Sequence, residues 1–318
     1  MDKEFVYLSD QMLEALNIPT SAIADAIEEA LVAKADGRLH TSPKTAILPG
    51  RGRYMMSTLA VGDDGFTVVK QVSVCPENDQ RNLPAINGAI MVLDAETGLL
   101  RAIVGANWIT AVRTAALSAV AARRLADPDS ETVAFVGTGV QAHSHLEAFK
   151  ELFPLKRIRV FGRGQENIDK LCQYAQKIGL EAEANASAEE ALRDADLIVT
   201  SVTLDYSIKP FLDARWLKSN AFAAITDACI PWLPTSMGAF DTVIVDDLVQ
   251  ESESKKPMLS IDAITGDLTA LVSDKITEFN GGRPAAFAFR GIALGDYAAA
   301  VLAVRLAKAA GVGTRIEA

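Results

Sequence analysis

Residues 132–142, TVAFVGTGVQA, constrain the fold more than any other part of this chain. A run of apolar and β-branched residues ends abruptly in Gly-Thr-Gly, and the residues beyond it, VQAHSHLEAFKELF, carry apolar positions at helical spacing. A strand that turns through glycines into a helix opens a βαβ unit. Gly137, Thr138, Gly139, Val140, Gln141 and Ala142 fit the G-x-G-x-x-G/A pattern. There the first glycine makes a tight turn, the second lets backbone amides approach a pyrophosphate, and the small last residue lets helix and strand pack. The pattern alone recurs by chance, and glycines that serve only packing are the plain alternative; its place between strand and helix gives it weight. These six residues, with Thr203 just past the later strand DLIVTSV, are the expected cofactor-binding set.

The same grammar continues downstream. RIRVFGR, EAEA, DLIVTSV, FAAIT and DTVIVDD read as strands, separated by the helical stretches ENIDKLCQYAQKIG and SAEEALRDA. Strands alternating with helices mean a parallel sheet covered on both faces, an α/β doubly wound domain. Upstream the pattern differs. Residues 44–104 hold consecutive short β-like runs broken by Pro-Gly, Gly-Asp-Asp-Gly and Glu-Thr-Gly turns, which suggests an antiparallel or mixed sheet. The chain opens as helix-rich sequence, with AIADAIEEALVAKADG ending at Gly37, and TAVRTAALSAVAARRL is an alanine-rich helix. The closing GIALGDYAAAVLAVRLAKAAG reads as a long helix that returns to the first domain. The expected organisation is therefore a discontinuous mixed-sheet domain, 1–127 with 294–318, and a dinucleotide domain, 128–293.

Cofactor choice rests on the end of the second nucleotide-domain strand. A carboxylate there hydrogen-bonds the ribose 2′-OH of NAD, whereas an arginine accepts the 2′-phosphate of NADP. Here the sequence reads Phe161-Gly162-Arg163-Gly164, with no carboxylate until Glu166. Arg163 thus points to NADP(H), with NAD(H) still open.

The first domain supplies Lys44, Arg51, Arg53, Lys70 and Arg113, each close to apolar sequence. Lys70 lies inside FTVVKQVSV, where an unpaired ammonium would be costly to bury, and Arg113 sits in the alanine-rich helix. Buried cations need partners, and a substrate carboxylate is one candidate; a lysine on the polar side of its strand is the other reading. His143 and His145 read as packing or solvent-facing residues, and His40 as a loop residue.

Composition closes off several classes. With 31 basic and 41 acidic residues the net charge is −10, which argues against nucleic-acid and anionic-membrane binding. Three well-separated cysteines, Cys75, Cys172 and Cys229, form neither a disulfide framework nor a zinc motif, so no metal is expected and a reducing cytoplasm fits best. The N-terminus lacks the basic and apolar regions of a signal peptide, and no run of about 18 apolar residues exists.

Three blocks together carry a resemblance: VVKQVSVCPENDQRNLPAINGAIMVLDAETG, WITAVRTAALSAVAARRLA and VAFVGTGVQAHSHLEAF. On these the chain resembles the ornithine cyclodeaminase/mu-crystallin family over nearly its whole length. The resemblance implies a Rossmann domain beside a substrate and dimerisation domain, a homodimer, and hydride transfer between a nicotinamide and the α-carbon of an imino or amino acid. It implies that Lys70 and Arg113 grip the substrate α-carboxylate, together with Lys44 or Arg53. Lys70 would also lie near the imine nitrogen. Asp227, matched with one inserted residue, would orient the amine or move protons.

Two departures from the family pattern stand out. Lys44 replaces an arginine typical of cyclodeaminases, so that Lys44, Arg53 and Lys70 look more like the alanine-dehydrogenase type. Arg290, in Phe287-Ala288-Phe289-Arg290-Gly291, stands where the family usually has serine. Arg290 could read a second substrate carboxylate, making iminosuccinate, reduced to aspartate, a candidate substrate; it could equally form a salt bridge away from substrate. The leading expectation is an NAD(P)H-dependent reductase of a small 2-imino acid with Lys70 and Asp227 as catalytic residues. An ornithine or lysine cyclodeaminase that recycles NAD and an NADPH- and ligand-binding protein like mu-crystallin are the alternatives.

Overall fold

The chain folds as two units, one from Met1–Arg113 with Gly291–Ala318 and one from Thr114–Arg290. The computed structural model describes residues 4–273 and 282–317. The sequence reading puts the two crossings after residues 127 and 293.

The first unit is built on one mixed sheet. Its strands are β1 (Glu4–Leu8), β2 (Leu39–Thr41), β3 (Thr45–Gly50), β4 (Arg53–Gly62), β5 (Phe66–Val74), β6 (Ile86–Asp94), β7 (Leu100–Gly105) and β16 (Thr314–Glu317). They lie in the order β16-β1-β7-β6-β5-β4-β2, with β3 paired to β4. All pairs are antiparallel except β1 with β7. The helices are α1 (Asp10–Ala15), α2 (Thr20–Ala35), the start of α3 (Ala106–Leu125) and α9 (Ala293–Ala310). The opening, expected to be helix-rich, begins instead with a strand. EFVYL forms β1, because β7 and β16 pair its backbone on both sides, and neither partner is a sequence neighbour. Ser9 then caps α1, its hydroxyl accepting from the Met12 amide at 3.2 Å.

Alternation along β4 to β6 assigns the two faces of this sheet. Thr58, Lys70 and Ile90 stand side by side in register and are buried. They face α9, whose alanine-rich surface (Ala298, Ala299, Ala300 and Ala303 are buried) lets the helix lie close to the strands. The opposite face carries Tyr7, Ile103, Met91, Val69 and Leu59 in a single row across five strands. Three of these apolar side chains are substantially exposed: Tyr7 at 40%, Met91 at 43% and Leu59 at 40%.

The second unit has a sheet of parallel strands: β8 (Thr132–Val136), β9 (Arg157–Phe161), β10 (Glu181–Ala184), β11 (Leu197–Thr200), β12 (Phe222–Ile225), β13 (Thr242–Val245), β14 (Gly266–Asp267) and β15 (Ala285–Ala288). Helices α4 (Val140–Leu152), α5 (Gln165–Lys177), α6 (Ala188–Arg193), α7 (Leu248–Ser252) and α8 (Leu268–Val272) complete it. The strand order is β10-β9-β8-β11-β12-β15-β13-β14. Strands such as LIVT, FAAI and AAFA are buried on both faces, as a doubly covered parallel sheet requires. Order reverses between β8 and β11, the topological switch point at which Rossmann sheets bind dinucleotides. No helix among the described residues is long and apolar enough to cross a membrane.

Candidate active site

In the first unit, three charged side chains meet inside the protein. Lys70 on β5 is 1% exposed, Arg113 on α3 is 4% exposed, and Asp296 in the first turn of α9 is 1% exposed. Lys70 Nζ donates to Asp296 Oδ1 at 2.5 Å, and Arg113 Nε lies 3.0 Å from the same oxygen. The other carboxylate oxygen, Oδ2, accepts from the Thr58 hydroxyl at 3.0 Å. Burial lowers the Lys70 ammonium to a pKa of about 8; Asp296 opposes that shift, while Arg113 and Lys44 add to it. Burial works to raise Asp296, yet the two cations outweigh it and hold the carboxyl below its usual range.

Not every expected residue joins this cluster. The Lys44 charge acts on Lys70, and its ammonium sits 5.9 Å from the centre of the Tyr54 ring. Arg53 lies exposed at the tip of the β3–β4 hairpin, where its guanidinium donates to the carbonyls of Gly50 and Pro49 at 3.3 and 3.4 Å. Asp296 was missed by the sequence reading. The signal was present, since an aspartate within GIALGDYAAAVL is as anomalous as a lysine within FTVVKQVSV, and two buried cations imply a buried anion.

In the second unit, the glycine loop leaves β8 at the switch point. Gly137 takes φ +99°, and a Cβ there would meet the Ser201 carbonyl oxygen at 2.7 Å, so the turn requires glycine. Its amide donates to the Phe161 carbonyl at 3.0 Å. Thr138 is buried beside Gly162, and Ala142 is fully buried where α4 packs on the sheet. Gly139 is the N-cap of α4 without a side-chain cap, and a Cβ there would meet open space. Val140, exposed, and Gln141, half-buried, follow at the helix start, where first-turn amides have no intrahelical acceptors. This cradle fits a pyrophosphate. Thr203 and Arg163 are exposed beyond β11 and β9. Glu166, the nearest carboxylate after β9, is held 2.6 Å from Lys170 on the outside of α5.

Asp227 follows β12 and is 1% exposed. Burial pushes its carboxyl up to about 7, although the Val202 amide donates to it at 3.1 Å. The turn after it has both central residues left-handed, Ala228 at φ 54° and Cys229 at φ 59°, closed by Ile230 N–H donating to Asp227 C=O at 3.2 Å. Neither residue is glycine, so this backbone is strained by about 1–3 kcal/mol per residue.

Arg290 lies two residues past the end of β15, the neighbour of β12. Its Nε lies 2.9 Å from Glu251 Oε2, a carboxylate that is 2% exposed, and Nη2 donates to the Lys256 carbonyl at 2.7 Å. The carboxylate that Arg290 meets is therefore the chain's own. Glu251 too was missed by the sequence reading, with nothing in the local pattern to mark it. His145 is buried between the Gln141 carbonyl (2.7 Å) and the Ser118 hydroxyl (2.9 Å), and burial depresses it to about 4, a neutral packing residue.

Comparisons with known proteins agree with this fold. The sequence pattern of the ornithine cyclodeaminase/mu-crystallin family matches residues 4–231. The ketimine reductase mu-crystallin of Rattus norvegicus is 33% identical over 177 residues, which is 56% of this chain and 54% of that protein, so the chain matches about half the length of that relative. The alanine dehydrogenase of Archaeoglobus fulgidus is 27% identical over 327 residues, covering 99% of this chain and 98% of that protein. Among solved structures, Thermococcus litoralis Delta(1)-pyrroline-2-carboxylate reductase, in complex with NADH and L-proline, superposes with a TM-score of 0.89 at 24% identity, covering 98% of this chain and all of that one.

The glycine geometry gives a clean test of the cradle. Gly139→Ala places its methyl group in open space, so the melting temperature should stay within the equivalent of about 0.5 kcal/mol. Titrating nicotinamide dinucleotide against protein fluorescence should nevertheless show affinity weakened at least about tenfold, since the second glycine exists for close approach. Unchanged affinity would remove this loop from the cofactor site.

Proposed function

The chain belongs to the ornithine cyclodeaminase/mu-crystallin family, and from that premise we propose that it is a nicotinamide-dependent oxidoreductase reducing a small 2-imino acid to the amino acid. The observation that carries this reading is the pairing of Lys70 and Arg113 on one buried carboxylate. Two cations from different elements converging on one carboxylate oxygen form a site whose N–H groups suit a second carboxylate, that of a substrate. The names of the relatives (ketimine reductase, alanine dehydrogenase, pyrroline-2-carboxylate reductase) share a carbon–nitrogen bond as the reacting group.

The chain's own groups supply binding and protons. Lys70 and Arg113, with Lys44 adding positive charge, hold the substrate carboxylate and fix the C=N carbon in one orientation. Residues 137–142 hold the dinucleotide, which when bound supplies the hydride. Asp227, raised to about 7 by burial, carries a proton in much of the neutral range and acts as general acid toward the imine nitrogen. Lys70, at about 8, is the second proton source. A protonated imine accepts hydride more readily than a neutral one. Exposed Arg163, with Glu166 occupied by Lys170, makes NADPH the better donor and NADH the weaker one. Arg290 stands outside the substrate set because Glu251 and the Lys256 carbonyl already hold its guanidinium. A monocarboxylate imine is therefore preferred over iminosuccinate. The exposed row Tyr7–Ile103–Met91–Val69–Leu59 is the face on which a second copy of the chain would pack.

Loss of nicotinamide absorbance, followed with pyrroline-2-carboxylate, pyruvate plus methylamine, and oxaloacetate plus ammonia, tests the reading. Turnover is expected with the monocarboxylates ahead of oxaloacetate; silence with all three would overturn it. Lys70→Ala leaves Asp296 balanced by Arg113, so the fold should survive. Its turnover should fall by at least about a hundredfold, with cofactor affinity unchanged.

The pH profile has a definite sign. Both proton-bearing groups lose their protons as pH rises, so kcat/KM for reduction should decline through about 7 and again through about 8. A flat profile between pH 6 and pH 9 would exclude both as proton donors.

Met91→Lys sets a charge into the middle of the apolar row. Sedimentation should show a wild-type dimer and a folded monomeric variant. A monomeric wild type would end the assignment of that face.

A further inference from the structure

Lys70 and Arg113 approach each other because they share one atom. Asp296 Oδ1 is 2.5 Å from Lys70 Nζ and 3.0 Å from Arg113 Nε, while Thr58 holds Oδ2 and so fixes which oxygen faces the cations. A carboxylate present only to neutralise a buried lysine would be matched one to one. This one is shared by two cations on different elements, β5 and α3, and comes from a third, α9. We propose that Asp296 is a positioning residue: by bridging Lys70 and Arg113 through a single oxygen, it keeps two buried cations adjacent and charged as a paired anchor for one further carboxylate. That the further carboxylate is a substrate's rests on the function proposed above; the bridging role does not.

The charges around Lys70 define what removal of Asp296 would do. Arg113 faces it from α3, Lys44 acts from the segment before β3, β4 contributes the neutral Thr58, and β6 places apolar Ile90 beside it. Asp296 is thus the one anion set against burial and two cations in this named group. Its own ionisation is favoured by both cations and by its place in the first turn of α9, where the helix dipole favours negative charge. Without it, two adjacent buried cations repel, and the lysine is the one that yields by losing its proton. Lys70 then no longer offers a charged N–H to an incoming anion.

The test is a pH titration of the Lys70 side chain by NMR in full-length protein with isotope-labelled lysine, assigned with Lys70→Arg. Wild type should titrate near about 8. Asp296→Asn should titrate lower by about one pH unit or more, and pyruvate, used as a carboxylate probe, should bind about tenfold more weakly near the wild-type midpoint. Because removing one partner of a buried ion cluster can unfold a protein, the double variant Asp296→Asn/Arg113→Met provides a second route. It deletes one charge of each sign, and its Lys70 midpoint should still fall below wild type, since Asp296 is the stronger influence. A midpoint unmoved in either variant, with only the melting temperature reduced, would show Asp296 to be a structural partner and overturn the proposal. The readout needs no turnover: a lowered midpoint in a protein that reduces no imino acid would sustain the role of Asp296 while ending the proposed function.

Discussion

Asp296 ties together strands and helices that are far apart in sequence, and the first unit depends on that bond. Lys70 is 226 residues away and Thr58 is 238. A lone ammonium at the centre of an apolar strand would be untenable, as would a lone carboxylate in an alanine-rich helix. Each becomes tolerable only when α9 lies on β5 and α3 brings Arg113 to the same oxygen. This explains in physical terms why the C-terminal helix returns to the N-terminal sheet. Apolar packing alone would accept many registers between a smooth helix and a sheet; a charged bond buried at both ends accepts very few.

The second unit works by different means. Its glycine loop presents amides rather than side chains, and close contact with Ser201 at the switch point fixes its shape. Asp227 is held at the end of β12 by a turn whose two central residues occupy a backbone region that neither alanine nor cysteine favours. Such strain is tolerated where the surroundings over-determine it, and it accompanies here a fully buried carboxyl raised to about 7. The first unit buries two cations on one carboxylate, and the second carries the glycine turn and a buried acid raised to about 7.

How much of this was legible beforehand follows from where each signal lies. The strand–turn–helix at Gly137 could be read because a tight glycine turn leaves a local mark, small residues at fixed spacing between a strand and a helix. Lys70 and Arg113 could be read because a cation inside an apolar pattern is locally anomalous. Their partner left the same kind of mark, but linking residue 70 to residue 296 needs the tertiary fold. Arg290 shows the limit most clearly. Standing where the family has serine, it left a ligand-reading role and a salt bridge equally open, and its bond to Glu251 depends on where α7 packs. Strand β1 was lost for a similar reason, since five residues paired to β7 and β16 owe their conformation to those partners rather than to a long pattern of their own.

The central claim, that the anchored carboxylate presents a C=N carbon for reduction, is tested most directly by following an isotope. Turnover of an imino acid with reduced nicotinamide dinucleotide deuterated at the transferring carbon should give an amino acid carrying deuterium on its α-carbon, seen by proton NMR of the product. Deuterium retained by the cofactor, or an α-carbon hydrogen that comes from solvent, would contradict the account.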